Sequence, residues 1–143
     1  MSRLWAFVLC VALSVLAGCG SSSGPKLIAA AGKVTYKDKA LSGATVSFFP
    51  VEGAEGTGGS GTTDAEGNYK IAYARGGEGL PAGKYKVTIS KRLMPDGSAP
   101  PPDVAPMDSP AKETLPPIYS ELDRTTLKAE VKEGATHNFD LPK

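Results

Sequence analysis

Few side chains in this sequence could carry chemistry. It has one histidine, His137, and two cysteines, Cys10 and Cys19. Serines and threonines are plentiful, but activating one takes a base and an orienting acid, and His137 is the one imidazole on offer. By alternation His137 shares a side with Phe139 and Leu141 near the end of a strand, the place of a structural or half-exposed histidine rather than a ligand. Asp64, Glu66 and Asn68 alternate oxygen donors around Gly67. That spacing suggests calcium, but the bidentate glutamate that closes such a loop is missing, and a capped turn accounts for the same residues. Lys33 and Asn138 form another candidate pair: a lysine amine can attack an asparagine carboxamide near an acid and expel ammonia, leaving an isopeptide bond. Such a bond forms in a dry core, and both residues fall on the outward phase if Val34 and Phe139 point inward. Tyr36, Tyr69, Tyr73 and Tyr85 could line a sugar platform, yet each lies on the inward phase of its strand, which favours core packing with the hydroxyl at the rim. We therefore expect no catalytic residue, no metal site and no cofactor.

Cys19 is different because of what precedes it. Arg3 supplies a positive start, and residues 4–16 are apolar except for Ser14. This is the charged and short hydrophobic region of an export signal, and it stops short of the ~20 residues a membrane span needs. Leu16-Ala17-Gly18-Cys19 resembles the lipobox of bacterial lipoproteins. That resemblance implies diacylglyceryl on the Cys19 thiol, cleavage between Gly18 and Cys19, and acylation of the new amine. Each buried methylene is worth about 0.8 kcal/mol and one chain holds only marginally, so several chains on one residue would anchor the protein firmly. Gly20, where an aspartate would retain a lipoprotein at the inner membrane, points to the outer membrane in a host with two.

Removing residues 1–18 from the 143 leaves 125, the size of a single domain with a tail. Of the sixteen basic residues the signal takes only Arg3, leaving fifteen against fifteen acidic ones. An even, interspersed charge argues against nucleic acid and against a polybasic membrane patch. With Cys10 discarded and Cys19 lipidated, the exported domain has no thiol for a disulfide or metal.

The elements follow in order. Residues 19–30, beginning with a Gly-Ser-Ser-Ser-Gly-Pro run, read as the lipidated cysteine and a flexible tether of at most roughly 35 Å. From residue 31 the period becomes two. Val34 and Tyr36 alternate with Lys33 and Thr35, then Val46 and Phe48 with Thr45 and Ser47. A glycine-rich loop leads to Thr62 and Thr63, and a turn at residues 64–67 to Tyr69, Ile71 and Tyr73. Tyr85, Val87 and Ile89 follow, pointing inward, with Lys84, Lys86, Thr88 and Ser90 outward. The chain ends on Leu127, Ala129 and Val131, then Phe139 and Leu141. Between them residues 93–117 hold eight prolines in twenty-five positions and no period, which reads as a functional or disordered loop. These short strands predict an all-β fold, a seven-stranded antiparallel Greek-key β-sandwich over residues 31–143.

Gly32-Lys33-Val34, residues 41–46, residues 63–69 and residues 81–87 together resemble the carboxypeptidase regulatory-like domain family, in their order and spacing more than in any one motif. The resemblance covers residues 31–91 closely, and the long 93–117 loop departs from it. It implies a transthyretin-like, or prealbumin-like, sandwich of the kind found in small bacterial lipoproteins and beside enzymes. Peptidase chemistry is not implied, since a zinc carboxypeptidase needs at least two histidines, a carboxylate ligand and a glutamate base. The expected function is a non-enzymatic, lipid-anchored envelope protein, structural or protein-binding, whose partners are the membrane through Cys19 and an envelope protein or the cell wall. The alternatives are a carbohydrate or cell-wall binding domain, which requires exposed aromatics, and a hydrolase, which requires clustered titratable groups.

Overall fold

A computed structural model describes residues 24–142. The expected export signal over residues 1–18 and the expected cleavage and lipidation at Gly18 and Cys19 lie outside the described residues. Among those residues no helix is long and apolar enough to cross a membrane.

The molecule is all-β and sandwich-like. One sheet is built on β1 (Ala31–Tyr36), flanked by β11 (Phe139–Leu141) on one edge and by β2 (Lys39–Ala40) and β5 (Asn68–Lys70) on the other. The second sheet runs β10 (Lys128–Val131), β7 (Gly83–Ser90), β3 (Thr45–Pro50), β4 (Gly59–Thr62), β6 (Ala72–Tyr73), each pair antiparallel. A small ribbon pairs β8 (Arg92–Leu93) with β9 (Lys112–Glu113), and one short helix, α1 (Pro117–Ser120), follows it.

The alternation of apolar residues explains the packing. Val34, Phe139 and Leu141 face inward from the first sheet, and Val46, Phe48, Tyr85, Val87, Ile89 and Val131 from the second, all buried in one core. Phe48 is its centre: its ring lies 6.0–6.4 Å from those of Tyr69, Tyr85 and Phe139. Residues 68–73 leave the first sheet as β5 and join the second as β6. Buried Ile71 marks the crossing and donates its N–H to Ala30 O. This crossing closes one side of the sandwich, and it needs Gly61, because a Cβ there would lie 1.9 Å from Lys70 O.

The expectation of a wholly antiparallel fold is corrected at one pair. β11 lies parallel to β1, with Val34 opposite Phe139 and Tyr36 opposite Leu141. After β10 the chain crosses to the other sheet before pairing, so β11 arrives in the same direction as β1. Thr88 also departs from its outward assignment and is only 7 % exposed. α1 packs against β7, and Thr125 donates to Val87 O at 2.6 Å, so this stretch has protein on both sides. The domain also begins earlier than residue 31. Ile28 exchanges both main-chain hydrogen bonds with Leu80, Lys26 pairs with Glu133, and Ala30 is buried. The expected tether over residues 19–30 is therefore corrected at its end, since residues 26–30 belong to the fold.

Candidate functional site

The pair Lys33 and Asn138 is brought together by the parallel β1–β11 contact. Gly32 permits it: a Cβ at Gly32 would lie 1.8 Å from His137 O, so only glycine lets this stretch of chain come so close. His137 N then donates to Ala31 O at 2.9 Å, and Lys33 N donates to Asn138 Oδ1 at 3.0 Å. The Asn138 carboxamide is thus held by the Lys33 main chain, and both residues are exposed. They sit on an open depression of about 600 Å³, with Asp64, Asn68, Lys70 and Thr136 also on its lining. Acyl transfer between them needs a desolvated amine and carboxamide, and this face supplies neither.

Asp64 does the work of a turn. Its Oδ1 accepts the main-chain N–H groups of Glu66 at 3.0 Å and Asn68 at 2.8 Å, and Gly67 takes the positive φ the turn needs. The Asn68 N–H, with help from the other amides, holds the Asp64 carboxyl below the usual range. Among the described residues no group of three or more histidine, cysteine, aspartate or glutamate side chains could hold a metal ion.

His137 enters the core as an aromatic. Its ring meets Phe48 edge-on at 5.8 Å, and its buried Nε2 has no hydrogen-bond partner. Burial lowers its pKa, so the ring is held neutral. Tyr69, Tyr73 and Tyr85 are buried as their alternation predicts, and two of them tie loops down: Tyr69 OH donates to His137 O and Tyr85 OH to Pro81 O. Burial raises the Tyr69 phenol. Tyr36 differs, being half-buried with Lys37 Nζ 5.0 Å from its ring centre. It ends β1 at the two-residue turn and packs against the edge of the core rather than within it.

Residues 93–117 fold against the sandwich, and two residues that the sequence reading did not single out make them do so. Arg92 donates Nη1 to Pro106 O at 2.9 Å and Nη2 to Ala111 O at 2.6 Å, spanning the loop from within. Glu113 Oε1 collects the N–H groups of Lys91, Thr114 and Leu115, each at 3.0 Å, and Oε2 accepts Ser90 Oγ. A basic and an acidic residue bracketing a proline-rich run are the one signal in the sequence that pointed to this brace. Beneath the loop lies a groove of about 960 Å³, walled by prolines on one side and by the ends of β3, β4 and β7 on the other.

The groove and the chain's attachment are at opposite ends of the sandwich. Lys26 pairs with Glu133, two residues past Val131, which lies opposite Gly83 at the start of β7, whereas the loop springs from the far end of that strand after Ser90. β7 between those two ends is eight residues, on the order of 25 Å long. No family model matches this sequence, and neither a curated protein nor a solved structure matches it.

Proposed function

We propose that this chain is a non-enzymatic, lipid-anchored envelope protein whose β-sandwich presents a protein-binding loop away from the membrane. In this reading the fold is a seven-stranded, Greek-key, prealbumin-like sandwich of the carboxypeptidase regulatory-like kind, with residues 1–18 removed and lipid on Cys19. Gly20 then directs it to the outer membrane where the host has two. The observation that supports the reading is the separation of the two ends: Lys26 pairs with Glu133, just past Val131 opposite Gly83 at the start of β7, while the braced loop leaves the other end of β7 after Ser90. A tether of residues 19–25 keeps the first end near the lipid and leaves the loop facing outward. The loop also carries Met107, 97 % exposed, beside the braced Pro106.

A photo-cross-linking amino acid at Met107, introduced into the full chain and its Cys19→Ala variant in cells, tests it. Wild-type Cys19 should place the protein in the membrane fraction and yield one discrete cross-linked protein. The variant should leave the membrane and lose that product. Membrane retention of Cys19→Ala would remove the anchor, and cross-links to membrane neighbours alone would remove the binding role.

A further inference from the structure

The groove beneath the 93–117 loop has a charge pattern of its own. Thr45 and Thr62 supply hydroxyls to its floor, Pro101 and Val104 an apolar wall, and Lys91 and Arg92 positive charge, while no carboxylate lines it. Among the described residues the ion pairs are Lys26 with Glu133 and Arg124 with Glu121, so neither groove cation is neutralised by one. The acids nearby are turned elsewhere. Glu113 is spent on main-chain N–H groups and Ser90, Asp96 caps Ser98, and Asp103 and Asp108 lie off the lining.

We propose that this groove binds an extended acidic peptide segment of a partner protein, an inference that rests on the protein-binding reading above. Arg92 uses two of its donors on loop carbonyls, and a guanidinium has five, so the fork keeps donors for a carboxylate. Lys91 adds a mobile point charge beside it. The loop prolines fix the wall in advance, so little ordering is lost on binding. The lining has no aromatic ring on which a sugar could stack, and its volume of about 960 Å³, with cations and an apolar wall together, has room for an extended segment of acidic and apolar residues.

The test is fluorescence anisotropy with a labelled octapeptide of alternating glutamate and valine, titrated with the full-length protein in detergent micelles. Saturable binding that weakens with added salt is expected. Lys91→Glu should weaken it at least roughly tenfold, because reversing a charge at the contact both removes attraction and adds repulsion. The Lys91 main-chain N–H, not its side chain, meets Glu113, so this variant keeps the brace. Lys91→Arg should bind as wild type does, and so should Lys33→Glu on the other depression. Absence of saturable binding, equal binding by Lys91→Glu, or binding of polygalacturonate in place of the peptide would each overturn the proposal. If Cys19 carries lipid and the peptide does not bind, the groove assignment fails alone; if the peptide binds and Cys19 is bare, the anchor fails alone.

Discussion

Along β7, Tyr85, Val87 and Ile89 are buried and the backbone is laddered to β3 on one side and β10 on the other, whereas residues 93–117, which it leads into, bury only Ala111 and Leu115 among their apolar side chains. The strand is held by hydrocarbon removed from water, an energy spread over many contacts. The loop is held by two polar side chains, Arg92 and Glu113, each meeting several main-chain groups. The first arrangement yields a cooperative core. The second yields a segment that can open by itself, since its loss leaves most of the apolar core in place. That contrast is what the proposed binding role would require of the loop: a shape fixed enough to recognise, on a foundation that does not depend on it.

The contrast can be broken most forcefully at the core. Phe48→Ala should cost about 3–5 kcal/mol, because the ring fills the space between both sheets and its neighbours cannot close over the gap. Urea unfolding monitored by circular dichroism would show the midpoint fall with the whole domain. Glu113→Ala should act differently. It leaves the amides of Lys91 and Leu115 and the Ser90 hydroxyl without their carboxylate, while Thr114 N–H keeps Lys91 O, a local cost of about 0.5–1.5 kcal/mol because water can take the vacated places. Hydrogen exchange should quicken at Lys91 and Leu115, and proteases should cut within 93–117, while the amides of β3 and β7 stay protected. A variant that instead unfolds globally would show that loop and sandwich are one cooperative unit.

His137 offers a titration of the core side of the comparison. Its folded pKa lies below its ordinary value of about 6.5, since burial disfavours the imidazolium. The unfolded chain therefore takes up a proton at a pH where the folded one does not. The stability this contributes is complete above about pH 6.5 and is lost as pH falls towards the folded pKa. Urea midpoints between about pH 7.5 and 5.5 should decline for the wild type and stay flatter for His137→Phe. The exposed aspartate Asp64, whose pKa is also lowered, acts in a separate window below about pH 4. The smallest effect is expected at the β1–β2 turn, where Lys37 and Asp38 both take positive φ, at 52° and 63°. Asp38→Gly relieves that conformation and should raise stability by roughly 0.5 kcal/mol, visible as a small rise in melting temperature with no change in the loop.

Much of the sheet structure was legible because its signal is local. The period of two in Val46, Phe48, Tyr85, Val87 and Ile89 reports one buried face, and the turn at Asp64 is written in residues that cap and bend the chain next to them. Tyr69, Tyr73 and Tyr85 were legible as core for the same reason. Tyr36, at the end of its strand, was not, because alternation says which side a residue faces and not whether anything covers that side. The burial of Thr88 fails in the opposite sense. The brace was missed because Arg92 and Glu113 are charged residues beside a proline run, and what they bind is main chain that only the folded loop brings within reach.

By itself the sequence determined an all-β chain behind a short apolar run at residues 4–16, a nearly even charge of sixteen basic against fifteen acidic residues, one histidine and no cysteine beyond Cys10 and Cys19, since these depend on residue identity and on neighbours within a few positions. Tertiary structure decided the parallel pairing of β1 with β11, the crossing of residues 68–73 between sheets, the neutral setting of His137 and the groove with its two unneutralised cations. Each of these depends on which distant segment arrives alongside, and in which direction. That is fixed only when the apolar faces of all the strands are buried together and every main-chain hydrogen bond along them finds its partner.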